Sequence, residues 1–324
     1  MADSVEDFYK NKTITVVAST GAGGPLDLIA RTIAKHIARH VPGAPTMVVR
    51  NMPGGGHVLA TNFMFTQAPK DGTYIATVVN SIPLHQVIDG RGVRYDARKF
   101  SWIGATGTSN LMTVAWRDSG ARTIDDVMNR ELPTGATGVG SGTFMYTNAM
   151  NIVLGTKFKM VLGYASSTDI DLAMERGEVA ARGGFSLSGI MQERPHWITE
   201  KKVVMLVQVG GEREKDYRDV PLMHELAKTT EQRQILSLIS SPVALGRPFF
   251  APPDIPADRL AALRKAFADT MQDEKFLTEA RQLNFDLNSM SGERLAQIVG
   301  DTVDAPADAV AQAKAMLQVP EAGK

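Results

Sequence analysis

Apolar positions fall into two recurring patterns along this chain. Short runs rich in β-branched residues alternate with helix-length amphipathic segments, and that order predicts an α/β fold with mainly parallel strands. Residues 12–19 (KTITVVAS) predict a strand, residues 21–25 a glycine turn, and residues 25–40 a helix. The helix places Leu26, Ile29, Ile33 and Ile37 on one face and Arg31, Lys35 and Arg39 away from it. Strands follow at 46–49 and 74–79, with a helix at 58–67 between them. After Trp102-Ile103-Gly104 the pattern restarts. The second series predicts strands at 111–116, 134–137, 159–162, 179–185 and 203–209. Helices are expected at 124–129, opened by Thr123, from Thr143 to about 154, and at 168–175. Residues 256–283 carry no internal Gly or Pro and read as strongly helical.

Twice a strand ends, a glycine cluster follows, and a helix begins: at Gly23-Gly24-Pro25 and at Gly140-Ser141-Gly142-Thr143. Pro presets the first helical turn, and Ser or Thr can cap it. Glycine lets a ligand approach bare N–H groups, which at a helix start carry partial positive charge. Neither cluster is a dinucleotide fingerprint, because Leu26 and Thr143 stand where the third glycine is required. The second is not a nucleophile elbow, since Val139 and Thr143 replace its glycines.

The 324 residues suffice for two domains with separate cores. Thirty-five basic and 35 acidic side chains cancel, so nothing in the charge favours a nucleic-acid partner. The absence of cysteine excludes disulfides, thiolate metal sites and Cys nucleophiles. His36 and His40 could share a helix face, but without a third ligand they read as a surface pair beside Arg39. His57 and His85 read as loop residues, Arg182 as a carboxylate partner or an exposed charge, and Asp169 and Asp171 as helix-start residues. No metal, cofactor or catalytic residue is assigned.

The chain also resembles a known family over nearly its whole length: the Bug-type substrate-binding receptors of tripartite tricarboxylate transporters. The resemblance is carried by residues 7–14 (DFYKNKTI), 23–31 (GGPLDLIAR), 51–56 (NMPGGG), 68–73 (APKDGT), 99–104 (KFSWIG), the 138–143 loop, 173–179 (AMERGEV), and 246–253 with 255–260. It implies a two-lobed, type II-like periplasmic binding protein of doubly wound, mainly parallel sheets. The ligand cleft lies between the lobes, is crossed twice by the chain, and closes by a hinge. The expected lobes are 1–105 with 222–324, and 106–221. The implied ligand is a small organic carboxylate anion, bound as a monomer and delivered to membrane permease subunits. The implied location is the periplasm, with the signal peptide removed. By position, ligand contacts are expected from Thr20, Gly21, Ala22, Gly23, Gly24 and Asp27 in the first lobe, and from Ser141, Gly142 and Thr143 in the second. Ser81, Thr106, Thr108, Ser109, Ser166 and Ser167 are further candidates. A hydrolase using the same cleft, or a ligand-sensing module for a signalling partner, are the alternative readings.

Overall fold

The computed structural model describes residues 4–23, 25–107, 110–137, 141–164, 167–283, 285 and 287–317. Its strands are β1 (Thr13–Ala18), β2 (Thr46–Asn51), β3 (Tyr74–Thr77), β4 (Ser101–Ala105), β5 (Leu111–Trp116), β6 (Leu132–Ala136), β7 (Phe158–Leu162), β8 (Ala181–Ser186), β9 (Val203–Val209), β10 (Pro248–Ala251) and β11 (Met290–Ser291). The chain forms two compact units, Met1–Thr108 with Leu245–Asp304, and Ser109–Ala244 with Ala305–Lys324.

The first unit holds a six-stranded sheet in the order β11-β4-β10-β3-β1-β2. β1 lies between β3 and β2 and is buried on both faces towards its C-terminal end, which fits its apolar residues Val16, Val17 and Ala18. Ile14, Val16 and Ala18 pack with Ile29, Ile33 and Ile37 of helix Pro25–Ile37 and with Leu263, Ala266 and Phe267 of helix Ala257–Gln272. Val17 faces the opposite core, beside Trp102, Phe250, Leu295 and Val299. The apolar face expected for the first helix is therefore the one it buries.

The second unit is a five-stranded sheet, β7-β6-β8-β5-β9. Ile170, Met174, Phe185 and Trp197 form one of its cores. Helix Ile124–Asn129 starts as expected at Thr123, whose N–H donates to Asp126 Oδ2 at 3.0 Å.

The structure corrects the expected fold in three respects. Both sheets are mixed rather than mainly parallel. β10 runs antiparallel to β3 and β4, β11 antiparallel to β4, and β5 antiparallel to β8 and β9. β10 enters its sheet from the other unit, so it is not the end of a βαβ crossover and no handedness rule fixes its direction.

Secondly, residues 222–244 and the C-terminal helix Ala307–Leu317 belong to the second unit. Gln232 Nε2 donates to the Val153 carbonyl at 2.8 Å, Gln312 Nε2 donates to Glu231 Oε1 at 2.6 Å, and the last helix packs on helix Gly142–Leu154. The chain therefore passes between the units three times, at 108/109, 244/245 and 304/305, not twice. Thr106 stays with the first unit, its N–H donating to the Arg247 carbonyl at 3.2 Å.

Thirdly, the long helical stretch is two helices, Ala257–Gln272 and Glu274–Gln282. They are broken at Asp273, whose carboxylate caps the second by accepting from the Lys275 and Phe276 N–H groups. Asp273 also accepts from His40 at 2.8 Å, and Glu279 accepts from His36 at 2.6 Å. His36 is buried. The pair thus docks one helix on another instead of lying on the surface.

Candidate functional site

At one end of the first-unit sheet the chain leaves β4, β3, β1 and β2 and enters β10. Sheet order therefore sets Thr106, Arg247, Thr77, Ser19 and Asn51 side by side along a single rim. The loop after β1 is built around Asp27, which is 3% exposed. Its Oδ2 accepts from the Gly23 N–H at 2.8 Å and from Arg31 Nε at 3.0 Å. Its Oδ1 accepts from Asn51 Nδ2 at 2.7 Å. Asn51 Nδ2 also reaches the Thr20 carbonyl at 3.1 Å, and Arg31 Nη2 donates to Asn51 Oδ1 at 2.9 Å.

The Arg31 hydrogen bond leads the other donors in holding the Asp27 carboxyl down at about 2, so it is ionised at neutral pH. Both its oxygens are engaged by the protein. The structure therefore gives Asp27 the role of shaping the loop from behind, while Gly21, Ala22 and Gly23 remain exposed. Gly23 has φ +88°, which only glycine adopts without strain. A Cβ at Gly21 would meet nothing within 4 Å, so packing does not require that glycine. Its effect is to keep the backbone bare. Gly24 lies outside the described residues.

Ser81 precedes helix Ile82–Ile88 on the same rim without capping it, and its carbonyl accepts from the His85 N–H at 2.8 Å. Asn51 and His57 were not among the expected site residues, yet both brace this loop. His57, at φ +74°, places Nδ1 2.8 Å from the Ser19 carbonyl and 2.9 Å from Ser19 Oγ. A carbonyl only accepts, so Nδ1 carries the proton. That nitrogen has no lone pair with which to take a proton from Ser19. The contact is a brace, not a nucleophile–base pair.

In the second unit the loop after β6 leads into helix Gly142–Leu154. Thr143 Oγ1 accepts from the Thr137 N–H at 3.1 Å and lies 3.2 Å from Thr137 Oγ1 and 2.7 Å from Ser141 Oγ. These contacts tie both ends of the loop to one hydroxyl. β8 packs against the helix start so closely that a Cβ on Gly184, at φ +66°, would lie 2.6 Å from the Gly142 carbonyl oxygen. Residues 138–140, Thr108, Ser109 and Ser166 lie outside the described residues.

Ser167 begins helix Ser167–Glu175, and its carbonyl accepts from Arg182 Nη1 at 3.4 Å. Arg182 is neither exposed nor open to a ligand. It is 4% exposed, bonded to the fully buried Asp171 carboxylate, and stacked 3.9 Å over the Phe185 ring. Burial pushes the Asp171 carboxyl up, against the pull of Arg182 and Arg194. Asp171 is thus one half of a buried ion pair rather than a helix-start residue.

Among the described residues no group of three potential metal ligands occurs, and no helix is long and apolar enough to cross a membrane. A family model described as tripartite tricarboxylate transporter family receptor matches residues 29–315. The chain belongs to that family. Its fold is shared by a solute-binding protein from Polaromonas, solved without ligand. That protein is 18% identical with a TM-score of 0.72, and the match covers 95% of this chain and 99% of that one. It is shared too by MatC from Rhodopseudomonas palustris with bound malate (18%, TM-score 0.53, 95% and 99% covered). A third relative is an R. palustris protein with adipate (17%, TM-score 0.55, 94% and 97% covered). Curated proteins give no match. Family and fold are those of substrate-binding receptors, not enzymes.

Proposed function

We propose that this receptor works as a periplasmic monomer. It reversibly captures a small organic carboxylate by hinge closure of its two units and hands it to the permease subunits of a tripartite tricarboxylate-type transporter. The observation that supports this most is the first-unit loop. A ring of bonds among Asp27, Arg31 and Asn51 fixes Thr20–Gly23 from behind, and the exposed glycine backbone at a helix start suits an anion. The Ser141–Thr143 loop of the second unit is another helix start of the same kind. Malate and adipate in two structural relatives are consistent with such a ligand.

The test is calorimetry on organic acids beside their neutral amides. An acid is expected to bind at least about a hundredfold more tightly than its amide, since hydrogen bonds to a charged group contribute about 1.5–3 kcal/mol each. Equal affinity for acid and amide would refute the anion site.

A further inference from the structure

Buried polar side chains normally find hydrogen-bond partners. Three in the first unit do not. Thr77 Oγ1, Thr106 Oγ1 and Arg247 Nη1 are buried and make no hydrogen bond among the described residues. Thr77 and Thr106 are fully buried, and Arg247 has no ion-pair partner among the described residues. In the second unit Thr113 Oγ1 is unpaired as well, and Asp171, Arg182 and the half-buried Arg194 leave atoms without hydrogen bonds although those three side chains pair with one another. The first-unit trio has no such internal explanation.

Strand register brings the three together. Thr77 of β3 lies opposite Phe249 of β10, and Pro248 opposite Ala105 of β4. Thr106 and Arg247 continue that pairing through the bond from the Thr106 N–H to the Arg247 carbonyl. Cross-strand neighbours share a sheet face, and side chains alternate along each strand. Thr77, Thr106 and Arg247 therefore all project on the face where Ile75 and Phe249 pack. With strands about 4.8 Å apart, Thr106 flanks Arg247 directly, and Thr77 lies on the diagonal, one pair further along β10. The turns beside them allow the crowding: Gly107 and Gly246 both have positive φ, and a Cβ on Gly246 would lie 2.8 Å from the Gly107 Cα.

A guanidinium can only donate, and the threonine hydroxyls can donate with it, so the missing partner accepts hydrogen bonds, and a negatively charged acceptor suits the guanidinium best. We propose that Thr77, Thr106 and Arg247 form a carboxylate-binding subsite on the first unit, separate from the glycine loop. Arg247 reads the charge and the two hydroxyls fix the orientation. This rests on the receptor reading above and adds a side-chain anchor to it. A ligand with a second acidic group then meets the glycine loop with one end and Arg247 with the other.

The experiment titrates the wild-type protein calorimetrically with malate, glutarate, adipate, citrate and benzoate, and repeats the binding acid with Thr77→Val, Thr106→Val, Arg247→Met and the exposed control Arg50→Met. The subsite predicts an affinity loss of about tenfold or more for each valine variant and about a hundredfold for Arg247→Met, with Arg50→Met unchanged. It also predicts that both valine variants, without ligand, melt at or above the wild-type temperature, because their hydroxyls bond nothing among the described residues. A valine variant that melts several degrees lower would show that its hydroxyl serves the fold, and would overturn the subsite. So would wild-type affinity in all three well-folded variants, which leaves the receptor reading standing. If the wild type takes up none of the acids, both the receptor reading and the subsite fail.

Discussion

Asp171→Ala is expected to cost about 3–5 kcal/mol of stability, because it leaves the Arg182 guanidinium buried without its counter-charge. The carboxylate is fully buried, bonded to Arg182, with Arg194 Nη2 at 3.8 Å. Burial alone disfavours both charges, so each is tolerated only while the other is present. Urea unfolding followed by the fluorescence of Trp116 and Trp197, which pack edge to face in this unit, measures the loss. The double variant Asp171→Leu with Arg182→Met removes both charges at once and should recover most of it. A loss below about 1 kcal/mol for Asp171→Ala would mean that water reaches the pair and that Arg182 is not the buried clamp described above.

Gly184→Val is expected to be nearly as damaging, and at the second-unit loop. Its backbone, at φ +66°, lies in the left-handed region that a β-branched residue avoids, and its Cβ would press on the Gly142 carbonyl and the Thr143 nitrogen. Strain of about 1–2 kcal/mol combines with an overpacking cost of about 1–3 kcal/mol. The segment that must give way is the Ser141–Thr143 helix start. Ligand affinity should therefore fall by about a hundredfold or more where the variant still folds. Gly300→Ala, in a helix with nothing within 4 Å of the added carbon, is the control that should leave affinity unchanged and melt at or slightly above the wild-type temperature. Calorimetry and thermal melts on both variants check this, and near-normal affinity in Gly184→Val would separate the loop from the site.

Local pattern carried much of the fold. The β-branched run at 13–18, the apolar helix face through Ile29, Ile33 and Ile37, and the cap at Thr123 each depend on neighbours within a few residues, and each is where the sequence placed it. What the pattern could not carry was set by distant partners. The family resemblance implies a ligand contact for Asp27, while its helix-start position suits a stabilising role. Its role in shaping the loop depends on Asn51, 24 residues away, as well as on Arg31.

Arg182 reads in the sequence as a carboxylate partner or an exposed charge, and only the packing of helix Ser167–Glu175 on β8 shows that its partner is the chain's own Asp171. His36 and His40 found their partners more than 230 residues along the chain. The direction of β10 and the second-unit placement of residues 222–244 follow from the passage at 244/245, and that of the last helix from a third passage at 304/305, which no periodicity records. Thr77 carries no motif, and Arg247 lies in the 246–253 stretch without a role that the stretch assigns it. What marks them is the absence of a partner among the described residues, and that is visible only in three dimensions.

Mass spectrometry of the protein purified without denaturation tests the central claim most directly. Molecules released by acid or solvent are identified, then incubated with fresh protein and measured again. Reversible capture of an organic anion predicts a released carboxylic acid, at up to one per chain, recovered unchanged after incubation. A neutral released ligand would contradict the anion site, and an acid consumed or converted at catalytic rates would contradict a receptor that performs no chemistry.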